Sequence, residues 1–457
     1  GYFIVKTLAG DDSISFVTLQ YGRKDYGFGV INSKGIMNWQ TAVPGFPLGM
    51  GRFKDNVVVF YILENPEKLG SINEVHAAMI GIKEKKVLAD KVVYTNPNKN
   101  VIEPIVLDDP AGNFDYLFIR TSGQRGGVAS LALKAENKTH EFTQLSIISL
   151  ESNLETHIKD LKGIALETFF AGACAGNNNE VYVSSFSKDQ LITEKFDEDG
   201  SLKGKLTIDA SIRRKSAAYP IIEIFPIIKY DSLQGNCDLA VKYRNDHKDE
   251  VMRLFRFNFN DQKAYSTGET VLDKDYVKQM GKTQDEKNKL SNFKFIDQLY
   301  PVQILETNDK VMVLKEIQYS TGIGSSNDPV RYFGEGNIIS IYTRDLHPVK
   351  DVIIDKNMET FIMGITSICG YVKNGKLYII TCELPKWSDK YKAVLSIINM
   401  DDGTMEKRTL DKENAGKDWL TNPTTILWFS NNFIIPFTEA AAFIHLKFKT
   451  DLQSENY

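Results

Sequence analysis

The residues that could do chemistry come first. The six histidines are His76, His140, His157, His247, His347 and His445. No two stand at metal-ligand spacing and no His-Glu-x-x-His occurs, so neither a metal site nor a histidine catalyst is assigned. Asp197, Asp199 and Gly200, in ITEKFDEDGSLKGKLTI (192–208), supply part of a calcium loop. An EF-hand would need an oxygen ligand and a Glu where Lys195 and Leu206 stand, so the stretch reads as a solvated hairpin turn. Asp108 and Asp109 are paired carboxylates of the kind used in acid–base work, but with Pro110, Gly112 and Asn113 they also compose a turn. No nucleophile elbow or phosphate loop is present. The Gly-rich STGIGSSNDPVRYFGEGN (320–337) lacks the Lys-Ser/Thr that cradles phosphate and is expected to be a long surface loop. Asn137-Lys138-Thr139 is a glycosylation sequon, meaningful in a eukaryotic secretory setting.

The four cysteines are Cys174, Cys237, Cys369 and Cys382. The first two are isolated in sequence. The turn Asn374-Gly375 would pair position 369 with position 380, leaving Cys369 and Cys382 diagonal, a poor geometry for a disulfide. Four buried free thiols are expected. No cofactor is implied.

The elements that must position these residues recur. Eight segments are alike: SISFVTLQY (13–21), NVVVFYIL (56–63), FDYLFIRT (114–121), NEVYVSSF (179–186), CDLAVKYR (237–244), DKVMVLKEIQY (309–319), GKLYIITCEL (375–384) and NNFIIPFT (431–438). Each is rich in β-branched and aromatic residues, and nearly all follow a tight turn of Asn, Asp and Gly. An apolar run precedes the turn, and a third and usually a fourth strand follow. ITEKFDEDGSLKGKLTI is one of these outer hairpins. Four antiparallel strands repeated in this way describe an all-β propeller. Eight four-stranded blades are expected, with seven as the alternative, in a single domain over residues 1–457. A pair of stacked β-sandwiches would not need the regular trio of inner run, polar turn and core strand. Residues 273–292, DKDYVKQMGKTQDEKNKLSN, form a charged inter-blade insertion, read as a short exposed helix or mobile loop that could cover part of one face.

The segment VINSKGIMNWQ (30–40) resembles one repeat of the pyrroloquinoline-quinone type of propeller, in which an Asp-containing turn, a Gly and a Trp four residues later dock neighbouring blades. Asn32 stands for the Asp, while Gly35 and Trp39 keep the spacing. The resemblance covers about eleven residues of one repeat. It implies a propeller relative and not a quinoprotein, because the adjacent cysteine pair used near that cofactor is missing. The Trp-Asp blade ends and the sialidase Asp-box are missing too.

In a propeller the loops between the second and third strands gather at the mouth of the central channel. Here those loops carry Arg23, Arg125, Arg244, His247, Arg331 and Trp387, with Lys24, Asp25 and Asp246 beside them. Such a rim could hold an anionic or sugar-like ligand through charge-assisted bonds and ring stacking. A net charge of −4 argues against nucleic acid as a partner, and no apolar run is long enough for a membrane helix. The expected function is a non-catalytic binding or scaffolding module, monomeric and extracytoplasmic, that engages a protein or glycan on this face. The alternative is a glycoside hydrolase or lyase whose residues converge on the channel from several blades.

Overall fold

The structure is a computed structural model. It describes residues 3–11, 13–22, 24–53, 55–63, 72–96, 101–107, 116–122, 144–151, 153–161, 169–187, 189–210, 224–280, 295–322, 330–360, 368–384, 391–410, 422–436 and 443–447. Each core segment named above becomes the second strand of an antiparallel meander, flanked by the apolar run before it and a third strand after it. The hairpin at Asn374-Gly375 has the pairing its turn chemistry demands. Both residues have positive φ, 49° and 71°, and Cys369 faces Ile380 across the ladder.

The chain is a β-propeller, but the expectation of eight four-stranded blades, or of seven, is corrected: among the described residues, six sheets are four-stranded blades. Two further sheets depart from four strands. One has five, because its outer strand breaks in two around Gly268. Lys263–Ser266 pairs with Glu250–Asn258, and Thr270–Val271 resumes the pairing at Met252 and Val251. In the gap the Leu254 N–H donates to the Thr267 hydroxyl (3.1 Å), and the Arg253 Nε donates to the Thr267 carbonyl (3.0 Å). The other sheet, nearest the C-terminus, has three strands among the described residues: Leu427–Trp428, Asn432–Pro436 and Phe443–Lys447.

First strands of successive sheets lie side by side, from Phe3–Asp11 to Phe46–Phe53 and onward, and Leu427–Trp428 returns to Phe3–Asp11. Apolar clusters fill the seams between sheets. Phe28, Val30 and Val43 meet Val57, Val59 and Tyr61 in one seam, and Met312, Leu314 and Ile339 meet Leu377 and Ile379 in another. Among the described residues the ring closes without a shared strand: Leu427, Phe429 and Ile434 pack on Val17, Leu19 and Ile31. Asn432 Nδ2 adds a hydrogen bond to the Ser33 carbonyl. Fully burying side chains of this size stabilises by roughly 1.5–3 kcal/mol each. The inner strands approach closely enough that a Cβ on Gly49 would stand 2.8 Å from Val106.

One loop expectation changes. Much of the Gly-rich stretch is strand, because Lys310–Thr321 and Arg331–Thr343 pair far past the blade body. Tyr319 and Phe333 stack across that extension with centroids 4.8 Å apart. In the charged insertion, Lys274–Met280 is a short helix, as one of the two readings had it, with Lys274, Asp275 and Lys278 exposed and Tyr276 and Val277 packed inward, as described below. Among the described residues, no helix is long and apolar enough to cross a membrane.

Candidate functional site

Arg23, Arg125 and Trp387 lie outside the described residues, as do Asp108, Asp109 and the sequon. Arg244 ends the strand Asn236–Arg244, and His247 is exposed in the turn that follows. Arg331 begins Arg331–Thr343. All three stand at the ends where second and third strands connect. The two arginines are already paired. Glu250 Oε1 accepts from Arg244 Nε at 2.8 Å and lies 2.6 Å from its Nη2, while Arg331 Nη1 is 2.9 Å from Glu359 Oε1. Glu250 also faces Lys242, whose Nζ is 3.7 Å from Oε2 and sits 4.1 Å from the centre of the Tyr300 ring. Among the described residues, Arg244, Arg331 and Lys242 are therefore members of local ion pairs.

A cavity of about 510 Å³ opens at the same end of the N-terminal sheet. Its lining comes from the connection between Ile14–Gln20 and Tyr26–Asn32 and from the close of Met37–Val43: Tyr21, Lys24, Asp25, Tyr26, Gln40 and Pro44 among them. The connection is short because the Tyr21 N–H donates to the Asp25 carbonyl at 2.8 Å. Tyr21 Oη donates to Gln40 Oε1 at 2.9 Å, which fixes the amide against the ring. Burial, helped by Asp25, raises the Tyr26 phenol. The cavity belongs to the third and fourth strands, so it lies toward the rim of the loop face. Its volume falls within the range of small-ligand sites. Rings, an amide, a carboxylate and an ammonium together suit a polyhydroxylated ligand better than a simple anion. Of its lining, the sequence marked only Lys24 and Asp25; Tyr21 and Gln40 come together through strand register, which no local motif announces.

The strongest electrostatic perturbations lie elsewhere, in the seams. Between the five-stranded sheet and the sheet of residues 299–360, Arg256 binds Asp238 with both Nε (2.7 Å) and Nη2 (2.5 Å). Arg256 Nη1 donates to the Arg344 carbonyl at 2.6 Å, and Arg344 in turn binds Asp231 and the Thr307 carbonyl. Burial raises the Asp238 carboxyl against the pull of Arg256. Nearby Glu306 is pushed up to about 7, chiefly by burial. Its Oε2 is 3.4 Å from Lys229 Nζ, and its buried Oε1 has no hydrogen bond among the described residues. This network is at the opposite end from Arg244, where the first and second strands turn.

Higher in the same seam, Lys315 Nζ donates to Ser340 Oγ at 2.6 Å and to Tyr276 Oη at 3.1 Å, while Ser340 donates to Asp351. Tyr276 belongs to the helix Lys274–Met280, so this buried cluster anchors the charged insertion into the groove between two sheets. A third buried pair, Lys356 with Glu316, lies within the strands of residues 299–360. Burial brings Lys356 down to about 7, while Cys382 and Glu383 pull the other way. A serine, a lysine and a carboxylate in contact have the composition of a nucleophilic site. Here Ser340 and Lys315 are only 3% exposed, and their bonds tie strand to strand and helix to strand.

The calcium-like turn resolves as read. Asp197 Oδ1 accepts from the backbone of Asp199 (3.1 Å) and Ser201 (2.8 Å), and Lys203 stands 2.8 Å from Oδ2. Hydrogen bonding to Lys203 holds the Asp197 carboxyl below its ordinary value. His157 pairs with Glu151, and His76 stacks on Tyr61 with centroids 5.1 Å apart. Asn32 accepts from the backbone of Lys34 and Ile36, doing in its turn what an Asp would, and Trp39 packs against Phe28.

No family model matches the chain, and no curated protein does. Similar solved structures include the WD40 domain of SCAP from fission yeast, at 7% identity and a TM-score of 0.44, with 94% of this chain and 92% of that one covered. BamB from Moraxella catarrhalis is 8% identical, with a TM-score of 0.43 and 97% and 99% of the two chains covered. The polysaccharide lyase Uly1 is 10% identical, with a TM-score of 0.40 and 90% and 88% covered.

Proposed function

We propose that this chain is a non-catalytic binding propeller, extracytoplasmic, that engages a glycan on its loop face. The observation that carries the reading is the cavity of about 510 Å³ lined by Tyr21, Lys24, Asp25, Tyr26 and Gln40. Sugar rings present an apolar face to an aromatic side chain and hydroxyls to amides and charged groups, which is the mixture this lining offers. The carboxyl and the ammonium that burial brings to about 7, Glu306 and Lys356, lie buried among the strands and not at the cavity, in keeping with binding rather than turnover.

The test is an isothermal titration with a panel of neutral and acidic oligosaccharides, repeated on Tyr21→Ala and Gln40→Ala. Binding that weakens at least tenfold in both variants, with the sugar recovered intact, is expected. Binding that neither substitution changes would remove the cavity from the reading. A sugar recovered shortened would replace a binder with a hydrolase or lyase.

A further inference from the structure

Cys174 and Cys237 are 63 positions apart in sequence, yet their sulfurs lie 3.8 Å apart. Cys174 is on Phe169–Ala175, the first strand of one blade; Cys237 is on Asn236–Arg244, the second strand of the next sheet. They meet because the first strands of these two sheets run side by side, so the contact crosses a seam. Cys237 is fully buried in the apolar cluster with Tyr182, Tyr230 and Leu239, and Cys174 is partly exposed at its edge. Tyr182 and Tyr230 stack beside the sulfurs with centroids 5.3 Å apart, so both walls are held by rings.

We infer that Cys174 and Cys237 are an oxidisable pair that closes into a disulfide, linking two adjacent sheets across their seam. The sulfurs are at van der Waals contact, and a bond near 2.05 Å needs about 1.7 Å of further approach, which side-chain rotation on two independent sheets can share. The chemistry balances with a low-molecular-weight disulfide as oxidant. The Cys174 thiolate, the one solvent can reach, attacks that disulfide, forms a mixed disulfide and releases one thiol. The Cys237 thiolate then attacks the Cys174 sulfur, the protein disulfide forms, and a second thiol leaves. Two protein thiols are oxidised, one external disulfide is reduced, and the two protons go to the released thiols. Burial raises the Cys237 thiol well above its ordinary range, so the second step is the slow one.

The other two cysteines are differently placed. Cys369 accepts from the indole N–H of Trp428 at 3.4 Å, and its ladder partner is Ile380, with Cys382 two residues on. They are the internal control.

The experiment treats the native protein with excess oxidised glutathione, quenches in acid, alkylates under denaturing conditions and maps the peptides by mass spectrometry. The expected result is a mass lower by about 2 Da, two alkylated thiols in place of four, and a single cross-linked peptide joining Cys174 to Cys237. The cross-link is lost in Cys174→Ser and kept in the Cys369→Ser/Cys382→Ser double variant. Four alkylated thiols, a stable glutathione adduct on Cys174 without a cross-link, or a cross-link to Cys369 or Cys382 would each overturn the inference. The wild-type peptide map decides alone if a variant does not fold.

Discussion

Replacing Glu306 with Gln should stabilise the protein above neutrality and leave it almost unchanged in acid. The Glu306 carboxyl is 4% exposed, and burial pushes it from an ordinary 4.5 up to about 7. Asp238 and Asp231 push in the same direction; Lys229 and Arg344 oppose them. The folded state therefore binds this proton more tightly than the unfolded chain. The stability this supplies is fully present below about 4.5 and is lost as pH rises through about 7. At roughly 1.4 kcal/mol for each tenfold change in proton affinity, the loss reaches about 3 kcal/mol by pH 8. Glutamine has the shape of the protonated acid and does not ionise, so it escapes that loss. Urea unfolding of both proteins at pH 5 and pH 8 measures the difference. The variant should gain about 2–3 kcal/mol on the wild type between the two pH values. A difference that stays flat would refute the burial argument, and one of opposite sign would mean that Lys229 and Arg344 outweigh desolvation.

Two other substitutions probe the same seam. Arg256→Leu removes the guanidinium that faces Asp238 and Asp231, both buried, and should cost about 3–5 kcal/mol in chemical denaturation. The Arg256→Leu/Asp238→Leu double variant should recover part of that, and a loss below about 1 kcal/mol in the single variant would show that the network is not holding the sheets. Tyr276→Phe takes away the hydroxyl that Lys315 donates to, at 3.1 Å, and should loosen the helix Lys274–Met280 from its groove. Hydrogen exchange of that helix should speed up about fivefold, the equivalent of roughly 1 kcal/mol; unchanged exchange would mean that the apolar packing of the residue 276 ring and Val277 anchors it without the hydroxyl.

The strands and their order were legible because β-branched runs and Asn/Gly turns are local signals. NVVVFYIL and CDLAVKYR needed no tertiary information to be placed second in their sheets. The strand count per sheet was not legible at two places. Thr267 and Gly268 look like ordinary outer-strand residues until the Thr267 hydroxyl is seen taking the bond that a carbonyl would take. The Gly-rich stretch hid the pairing of Tyr319 with Phe333, because glycine content signals a loop more loudly than two aromatics signal a ladder. The thiol contact was the hardest to foresee. Cys174 and Cys237 are isolated in sequence, and only the packing of one sheet on the next brings them within 3.8 Å.

On the loop face, the described arginines already have carboxylate partners. Arg244 and Arg331 stand out in connections between strands and suggest an anion-binding rim. Their carboxylate partners are Glu250, six positions on, and Glu359, which reaches Arg331 only because Arg331–Thr343 pairs with Pro348–Thr360. An anion arriving there would have to displace a carboxylate already held at 2.6–2.9 Å, exchanging one charge-assisted bond for another at little net gain. Among the described residues, the cavity at Tyr21 carries one ammonium and one carboxylate, Lys24 and Asp25. A ligand that gains on this face is one that brings hydroxyls and an apolar ring face without bringing an ion. On the proposed reading, the ligand to test first is therefore an uncharged sugar and not an anionic metabolite.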